Sequence, residues 1–203
     1  MIGIIDYGMG NLRSVENALH HLGKECIISR DTNVLHACDK LILPGVGAFG
    51  DCMDNITHYG LRDFIVSEVK QGKPLLGICL GMQMLFDESY EKGQTKGFGF
   101  IHGKIVRIDD PDVSVPEIGW NELEWNHPSK LKDLLPEHTY VYYVHSYYAS
   151  DMNEENLLAY SSYGKLRIPG IVCKNNVMGC QFHPEKSGED GLTILKYFTE
   201  VFS

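Results

Sequence analysis

Apolar residues in the first half of the chain occur either in short continuous runs or at helical spacing. The short runs predict four buried strands, at residues 2–5, 26–29, 40–43 and 74–78. The helical spacing predicts three helices, at residues 12–22, which Asn11 can cap, and at residues 51–71 and 80–88. Strands that alternate with helices are typical of a parallel sheet covered by helices.

From about Gly97 onward the pattern becomes rich in β-structure. It predicts strands at residues 98–108, 118–125, 140–149, 157–160, 171–174 and 177–182, and a final helix at residues 189–202. No linker, charge run or repeat separates the two halves, so we expect the β-rich half to complete the same sheet. The sequence therefore predicts one α/β domain over residues 1–203, with a mixed, mostly parallel central sheet flanked by helices.

The charge balance narrows the classes of function. The chain is 43% hydrophobic and 22% charged, and its 18 Lys and Arg against 27 Asp and Glu give a net charge of −9. An acidic chain binds phosphate backbones and anionic lipids poorly, so we expect neither nucleic acid nor a membrane as a partner. The sequence shows neither an apolar leader nor a run of about 18 apolar residues, so we expect a cytoplasmic protein.

The cysteines and histidines do not form a metal pattern. The six cysteines contain no CxxC pair, and the nine histidines include no HExxH motif. We therefore expect no metal site, no disulfide framework and no cofactor.

The strongest chemical signal is Cys79, in the segment of residues 77–81, where a buried strand turns directly into a helix. This is the nucleophile-elbow arrangement with a thiol in place of a hydroxyl. Gly77 and Gly81 lack the Cβ atoms that would open so tight a turn, and a helix N-terminus favours the thiolate. The alternative, a buried structural cysteine, fits Cys26 or Cys173 better.

A base for this nucleophile is available at residues 181–185, at the end of the last predicted strand. Pro184 favours extended backbone at His183, and in extended chain residues i and i+2 point to the same side. Glu185 can therefore lie beside the His183 imidazole and fix its tautomer. Cys79, His183 and Glu185 form a candidate catalytic triad.

The glycine-rich segment of residues 44–50 admits two interpretations. It matches GxGxxG, which suggests a dinucleotide loop, but it follows the third strand and the acid nearest the required distance, Glu68, lies in a helical pattern. Glycine-rich turns also expose backbone N–H groups, and one of these together with the N–H of Leu80 could hold an oxyanion. We favour the oxyanion loop.

Three segments, at residues 44–51, 77–83 and 181–187, resemble the class I glutamine amidotransferases and, among them, the glutaminase subunits of imidazole glycerol phosphate synthases. Residues 4–12, 118–121 and 143–147 support the likeness, which runs nearly end to end. Val46 stands where amidotransferases of the anthranilate type usually carry proline, which favours the histidine-pathway subunits. The resemblance implies a flavodoxin-like fold of the amidotransferase type.

The resemblance also implies a reaction. Cys79 would attack the side-chain amide of L-glutamine to form a thioester, His183 would move protons, and Glu185 would orient it. The further residues that it implicates are Gly47 and Leu80 in an oxyanion hole, Gln83 and Glu91 at the glutamine head group, and His145, Ser146 and Tyr147 beside the site.

A partner is implied as well. The resemblance predicts a heterodimer with a (β/α)8 cyclase subunit, which uses the ammonia to make imidazole glycerol phosphate and an aminoimidazole carboxamide ribonucleotide. By position it assigns Asn11, Tyr142 and Lys186 to the interface. Three alternatives stay open: the amidotransferase subunit of another synthase, of the anthranilate or aminodeoxychorismate type; an NAD-binding oxidoreductase; and an inactive subunit that only scaffolds a partner.

Overall fold

The computed structural model describes residues 1–203, and its elements have the following bounds. The strands are β1 (Ile2–Ile5), β2 (Cys26–Ser29), β3 (Lys40–Gly45), β4 (Leu75–Cys79), β5 (Phe86–Ser89), β6 (Thr95–Lys96), β7 (Ile101–Arg107), β8 (Glu117–Glu122), β9 (Glu124–Trp125), β10 (Tyr140–His145), β11 (Tyr147–Ser150), β12 (Leu157–Tyr163), β13 (Leu166–Lys174) and β14 (Val177–Cys180). The α-helices are α1 (Leu12–His21), α2 (Thr32–His36), α3 (Phe49–His58), α4 (Leu61–Lys70), α5 (Leu80–Gln83) and α6 (Gly188–Glu200). A 3₁₀ turn at Pro184–Lys186 precedes α6.

The central sheet has eight strands in the order β2-β1-β3-β4-β14-β13-β12-β9. The first five are parallel to one another, and the last three continue the sheet in antiparallel pairing. The strand order β2-β1-β3-β4, followed by β14, is that of the flavodoxin-like fold. In this fold, ligand-binding sites lie at the carboxyl ends of the strands. The predicted α/β class with a mixed, mostly parallel sheet is confirmed.

Helices cover both faces of this sheet because successive side chains of its strands point to opposite sides. In β1, Ile4 belongs to the core under α1 and α6, whereas Ile5 belongs to the core under α3 and α4. Both isoleucines are fully buried. No helix is long and apolar enough to cross a bilayer.

The β-rich half does not complete one sheet, and this prediction is wrong. Only β9 and β12 to β14 join the central sheet; β8 and β10 form a two-stranded sheet, and β11, β7, β5 and β6 form a third. The predicted strand at residues 140–149 breaks at Ser146, so that β10 pairs with β8 and β11 with β7. Alternating polarity predicts strands, but it does not identify their partners.

Two predicted helices also need correction. The helix predicted at residues 51–71 is α3 and α4, separated at Gly60, whose φ of 68° is left-handed and ends the first helix. The helix predicted at residues 80–88 ends at Gln83, because residues 86–89 pair with β7 as a strand instead. Helix α2, which the periodicity did not reveal, begins after Asp31, whose side chain accepts a hydrogen bond from the Asn33 N–H.

The predicted cap of α1 is only partly observed. The helix begins directly after Asn11, but the Asn11 side chain makes no capping bond to the backbone. Its Oδ1 instead accepts a hydrogen bond of 2.9 Å from the Ser14 hydroxyl.

Candidate active site

Cys79 is the last residue of β4, at the carboxyl edge of the sheet, and α5 begins at the next residue. Its backbone has φ 55° and ψ −112°, a left-handed conformation that non-glycine residues rarely adopt. This tight turn is possible because the residues packed around it are glycines, which have no Cβ atom. A Cβ on Gly77 would lie 2.5 Å from the Gly81 oxygen, and one on Gly45 would lie 2.5 Å from the Gly81 nitrogen.

His183 lies in extended backbone after β14 and begins the 3₁₀ turn at Pro184–Lys186. Its N–H donates to the Tyr142 carbonyl at 3.0 Å, and its carbonyl accepts a 2.7 Å bond from the Ser187 hydroxyl. These bonds fix the backbone on both sides of the imidazole, so the ring is held at the cleft by β10 and by the start of α6.

The His183 imidazole and the Glu185 carboxylate form a buried pair. Nδ1 of His183 lies 2.8 Å from Oε1 of Glu185, and their side chains are 3% and 1% exposed. Burial works against the charged imidazole, but the Cys79 thiol and the Glu185 carboxylate outweigh it and raise the pKa of His183 to about 10. The arrangement therefore keeps the His183 imidazole protonated beside Cys79 at neutral pH.

Two buried side chains in the core hold the glycine-rich loop between β3 and α3. The Tyr7 hydroxyl donates to the Pro44 carbonyl at 2.7 Å, and the Cys52 thiol lies 3.5 Å from the Val46 carbonyl. In a trans peptide the C=O and the following N–H point in opposite directions. Because the Val46 carbonyl is turned into the core, the Gly47 N–H points the other way.

This loop does not have the features of a dinucleotide site. Gly45 is required because it packs against α5, and Gly47 because its φ is 102°. Gly50 lies inside α3, where its Cβ position is in ordinary contact with Thr95. Gly45 is thus explained by its packing beside the Cys79 turn and Gly47 by its backbone conformation, whereas Gly50 is an ordinary helical residue.

A cleft of about 380 Å³ opens above Cys79. Its lining residues are Val46, Gly47, Cys79, Leu80, Gln83, Glu91, Pro116, Val144, His145, Ser146, Tyr147 and His183. The structure therefore brings nine predicted site residues together around one cavity, and Glu185 lies behind the His183 ring. Their chemical roles stay predictions.

Gln83 and Glu91 line this cleft, and each has one side-chain oxygen that accepts no hydrogen bond. The Gln83 amide nitrogen is occupied by two acceptors, the Tyr147 carbonyl at 2.8 Å and Gln181 Oε1 at 3.0 Å. One Glu91 oxygen accepts a 2.8 Å bond from the Phe49 N–H, at the start of α3. The remaining oxygen of each side chain is free to accept a further hydrogen bond, a pattern that suits an ammonium group.

The predicted interface residues do not line the cleft. Asn11 precedes α1, Tyr142 lies on β10, and Lys186 is exposed on the 3₁₀ turn, which contacts both elements. Beside Tyr142 the outer face of the two-stranded sheet carries three exposed apolar side chains, Ile118, Trp120 and Tyr140. No group of three or more His, Cys, Asp or Glu side chains is arranged to hold a metal ion.

Sequence reasoning missed two residues that support the site. Gln181 is fully buried, and its Nε2 lies 3.9 Å from Cys79 Sγ. Glu117 lies directly opposite His145 in the β8–β10 register, with 3.2 Å between Oε2 and His145 Nε2. Gln181 is the first residue of the segment 181–187 that carries the family resemblance, so the sequence could have pointed to it. The position of Glu117 opposite His145 is set by the β8–β10 register, which no local sequence pattern predicts.

The sequence and fold of this chain match those of known proteins. The family model for glutamine amidotransferase class-I matches residues 3–201. Among solved structures, a chain described as a glutamine amidotransferase superposes with a TM-score of 0.76 at 23% identity, covering 98% of this chain and 97% of that one. The chain of PurLQS from Thermotoga maritima gives 0.75 at 19%, covering 100% and 98%. The chain belongs to the class I glutamine amidotransferases.

More similar relatives define the family within that class. The chain is 49% identical to the imidazole glycerol phosphate synthase subunit HisH of Bacillus velezensis, covering 99% of this chain and 96% of that protein. It is 48% identical to the same subunit of Bacillus subtilis, with the same coverage, and 45% identical to that of Caldanaerobacter subterraneus, covering 99% and 98%. Within the class it belongs to the HisH family.

Proposed function

We propose that this chain hydrolyses L-glutamine to glutamate and ammonia at Cys79, as the glutaminase subunit of an imidazole glycerol phosphate synthase. The observation that carries the proposal is the placement of Cys79 on a left-handed turn, in the same cleft as His183, whose imidazole is paired with Glu185. Membership in the HisH family supports the choice of synthase.

In the first half-reaction the Cys79 thiolate attacks the side-chain amide carbon of glutamine. The raised pKa of His183 means that the imidazole carries a proton at neutral pH, so the thiolate needs no further base. The carbonyl oxygen becomes an oxyanion, held by the N–H groups of Leu80 and Gly47. The intermediate collapses as His183 gives its proton to the leaving nitrogen, which releases ammonia and leaves the thioester.

In the second half-reaction the neutral His183 accepts a proton from water as the water oxygen attacks the thioester carbon. The second oxyanion expels the Cys79 thiolate, and glutamic acid loses its proton to solvent. The resting thiolate and imidazolium are restored. Glu185 keeps one imidazole orientation throughout, because its carboxylate accepts from Nδ1.

The cleft suits the head group of glutamine. The free oxygens of Gln83 and Glu91 are both acceptors, so they can hold the α-ammonium of the substrate. Ser146 and Tyr147 line the same cleft at the break between β10 and β11, and His145 Nδ1 bonds the Tyr147 carbonyl at 2.9 Å. We assign these three residues to the wall that positions the substrate.

The ammonia must reach an acceptor without entering bulk water, where it would become ammonium and lose its nucleophilicity. We assign the acceptor site to a (β/α)8 cyclase subunit, in a cytoplasmic heterodimer. The docking face on this chain consists of Ile118, Trp120, Tyr140 and Tyr142, on the outer side of β8 and β10. Trp120 and Tyr142 are cross-strand partners with ring centroids 6.1 Å apart.

This docking face is continuous with the cleft, which favours the cyclase as its occupant. Val144 follows Tyr142 on the same side of β10 and lines the cavity above Cys79. A partner seated on the exposed aromatic pair would therefore cover the mouth of the glutaminase site. Lys186 and Asn11 would lie at its edge.

The experiment that tests the triad is glutamate release by purified chain variants. We expect Cys79→Ala and His183→Asn to lower the rate by at least about a thousandfold. The matched control is Cys173→Ala, because Cys173 lies on β13 and does not line the cleft. Equal loss in the control, or retained hydrolysis in Cys79→Ala, would contradict the proposal.

A further inference from the structure

A chain of buried hydrogen bonds ends at the sulfur of Cys79. His145 Nδ1 and Gln83 Nε2 both bond the Tyr147 carbonyl, at 2.9 and 2.8 Å. Gln83 Nε2 also donates to Gln181 Oε1 at 3.0 Å, and Gln181 Nε2 lies 3.9 Å from Cys79 Sγ. Gln83 is 3% exposed and Gln181 is fully buried.

The backbone dictates which end of the Gln181 amide faces the sulfur. The Tyr147 carbonyl can only accept, so Gln83 must turn its NH₂ group toward it. The same NH₂ group faces Gln181, so the Gln181 atom nearest to it must be the carbonyl oxygen. The Gln181 NH₂ group is then left facing Cys79, and the reverse orientation would bring two NH₂ groups together.

The position of Gln181 follows from strand register. In the parallel pairing of β14 with β4, Cys180 lies opposite Ile78, so the next residue of each chain brings Gln181 beside Cys79. The Gln181 N–H is bonded to the Gly170 carbonyl at 2.9 Å, which holds its backbone against β13. A change of side chain at this position therefore leaves the strand pairing in place.

We propose that Gln181 is a further catalytic residue, whose amide N–H donates to the Cys79 sulfur and stabilises the thiolate in the resting state and on its release from the thioester. The inference rests on the proposed role of Cys79 as the nucleophile. Gln83 acts through Gln181 as a positioning residue, in addition to any contact with substrate.

Other groups around the sulfur do not supply this interaction. The Val144 carbonyl, 3.9 Å from Sγ, can only accept and so favours the protonated thiol. Burial raises the pKa of Tyr7, and raises that of Cys52 to about 11, so both stay neutral near pH 7. His183 is the charged partner, and Gln181 is the neutral donor that does not titrate.

The test measures sulfur reactivity without using glutamine. Alkylation of Cys79 by iodoacetamide is followed by peptide mass spectrometry from pH 5 to pH 10, for the wild type, Gln181→Met and Gln181→Glu. Methionine matches the length of glutamine but has no donor, and glutamate can accept from Gln83 while turning an oxygen toward the sulfur. Gln71→Met, at an exposed position, is the matched control.

In both Gln181 variants we expect the pH profile of alkylation to move upward by about one unit, with roughly tenfold slower alkylation at pH 7. A profile equal to that of the wild type in folded Gln181→Met and Gln181→Glu would overturn the inference. If Gln181→Met fails to fold, Gln181→Asn retains the amide at a shorter reach and is expected to show the same shift. The two proposals can fail separately. If Cys79 of the wild type is alkylated normally but the protein releases no glutamate, the proposed function is refuted, while the comparison of Cys79 alkylation between the wild type and the Gln181 variants still tests the role of Gln181.

Discussion

Gly81 packs directly against the end of β3: a Cβ atom on it would lie 1.8 Å from the carbonyl oxygen of Leu43. This contact lets α5 begin immediately after Cys79 and keeps the oxyanion loop close to the nucleophile. Because the obstructing atom belongs to the backbone of a buried strand, no side-chain rotation can relieve the overlap.

We therefore predict that Gly81→Ala lowers the free energy of unfolding by about 3 kcal/mol, since overpacking a buried site forces backbone shifts. Gly50→Ala is the matched control. Gly50 lies inside α3, and its Cβ position meets only Thr95 Oγ1 at 3.5 Å. Alanine there should be neutral or stabilising by about 0.5–1 kcal/mol in urea unfolding. Equal stability of the two variants would contradict this explanation of the turn.

The pKa of His183 predicts a pH dependence of stability. Its folded value of about 10 lies above the ordinary 6.5, so its protonation stabilises the fold fully below pH 6.5. That contribution is lost as the pH rises through 10. We expect the difference in unfolding free energy between the wild type and His183→Asn to fall from pH 6.5 to pH 10.

Histidine NMR gives the direct measurement of this pKa. The His183 imidazole should titrate well above pH 7 in the wild type and lower in Glu185→Gln, which removes the carboxylate. A wild-type midpoint near 6.5 would show that the thiolate and imidazolium do not coexist.

Glu91 is predicted to act in binding more than in chemistry. In Glu91→Gln the side chain can still accept from the Phe49 N–H, but it offers an amide NH₂ in place of the second oxygen. We expect KM for glutamine to rise about tenfold with kcat changed less than threefold, because the contact is made equally in the ground and transition states. The control is Glu137→Gln, at an exposed position remote from the cleft. A fall in kcat alone would contradict the assignment.

The docking face is tested through affinity for the cyclase. Trp120 is 57% exposed and stacks edge-on against Tyr142, so its truncation removes the largest apolar contact of this face. We predict that Trp120→Ala weakens binding of the cyclase at least tenfold in calorimetric titration. Tyr90→Ala, exposed after β5, should leave the affinity unchanged. Equal affinity of the two variants would refute this location.

Much of the site could be predicted because it is encoded locally. The glycines around Cys79 and the spacing of His183 and Glu185 are short-range features, and each corresponds to a turn or an extended segment that the structure contains. Longer-range features could not be predicted in this way. The break at Ser146 and the pairing of Glu117 with His145 arise from strand partners chosen by tertiary packing.

The division of residues 51–71 shows the same limit on a smaller scale. The apolar positions of α3 and α4 continue one helical pattern, but Gly60 adopts a left-handed conformation and turns the chain. A glycine within a periodic stretch is compatible with a continuous helix or a break, and packing decides between them.

The most direct test of the central proposal is glutamate release by the wild-type chain, alone and with a histidine-pathway cyclase and its nucleotide ligand, with Cys79→Ala in parallel. We predict that the cyclase and its ligand strongly stimulate glutamate release and that Cys79→Ala abolishes it under all conditions. Hydrolysis that is indifferent to this cyclase would point to another synthase, and the absence of hydrolysis from the wild type in the full complex would contradict the assignment of glutaminase activity.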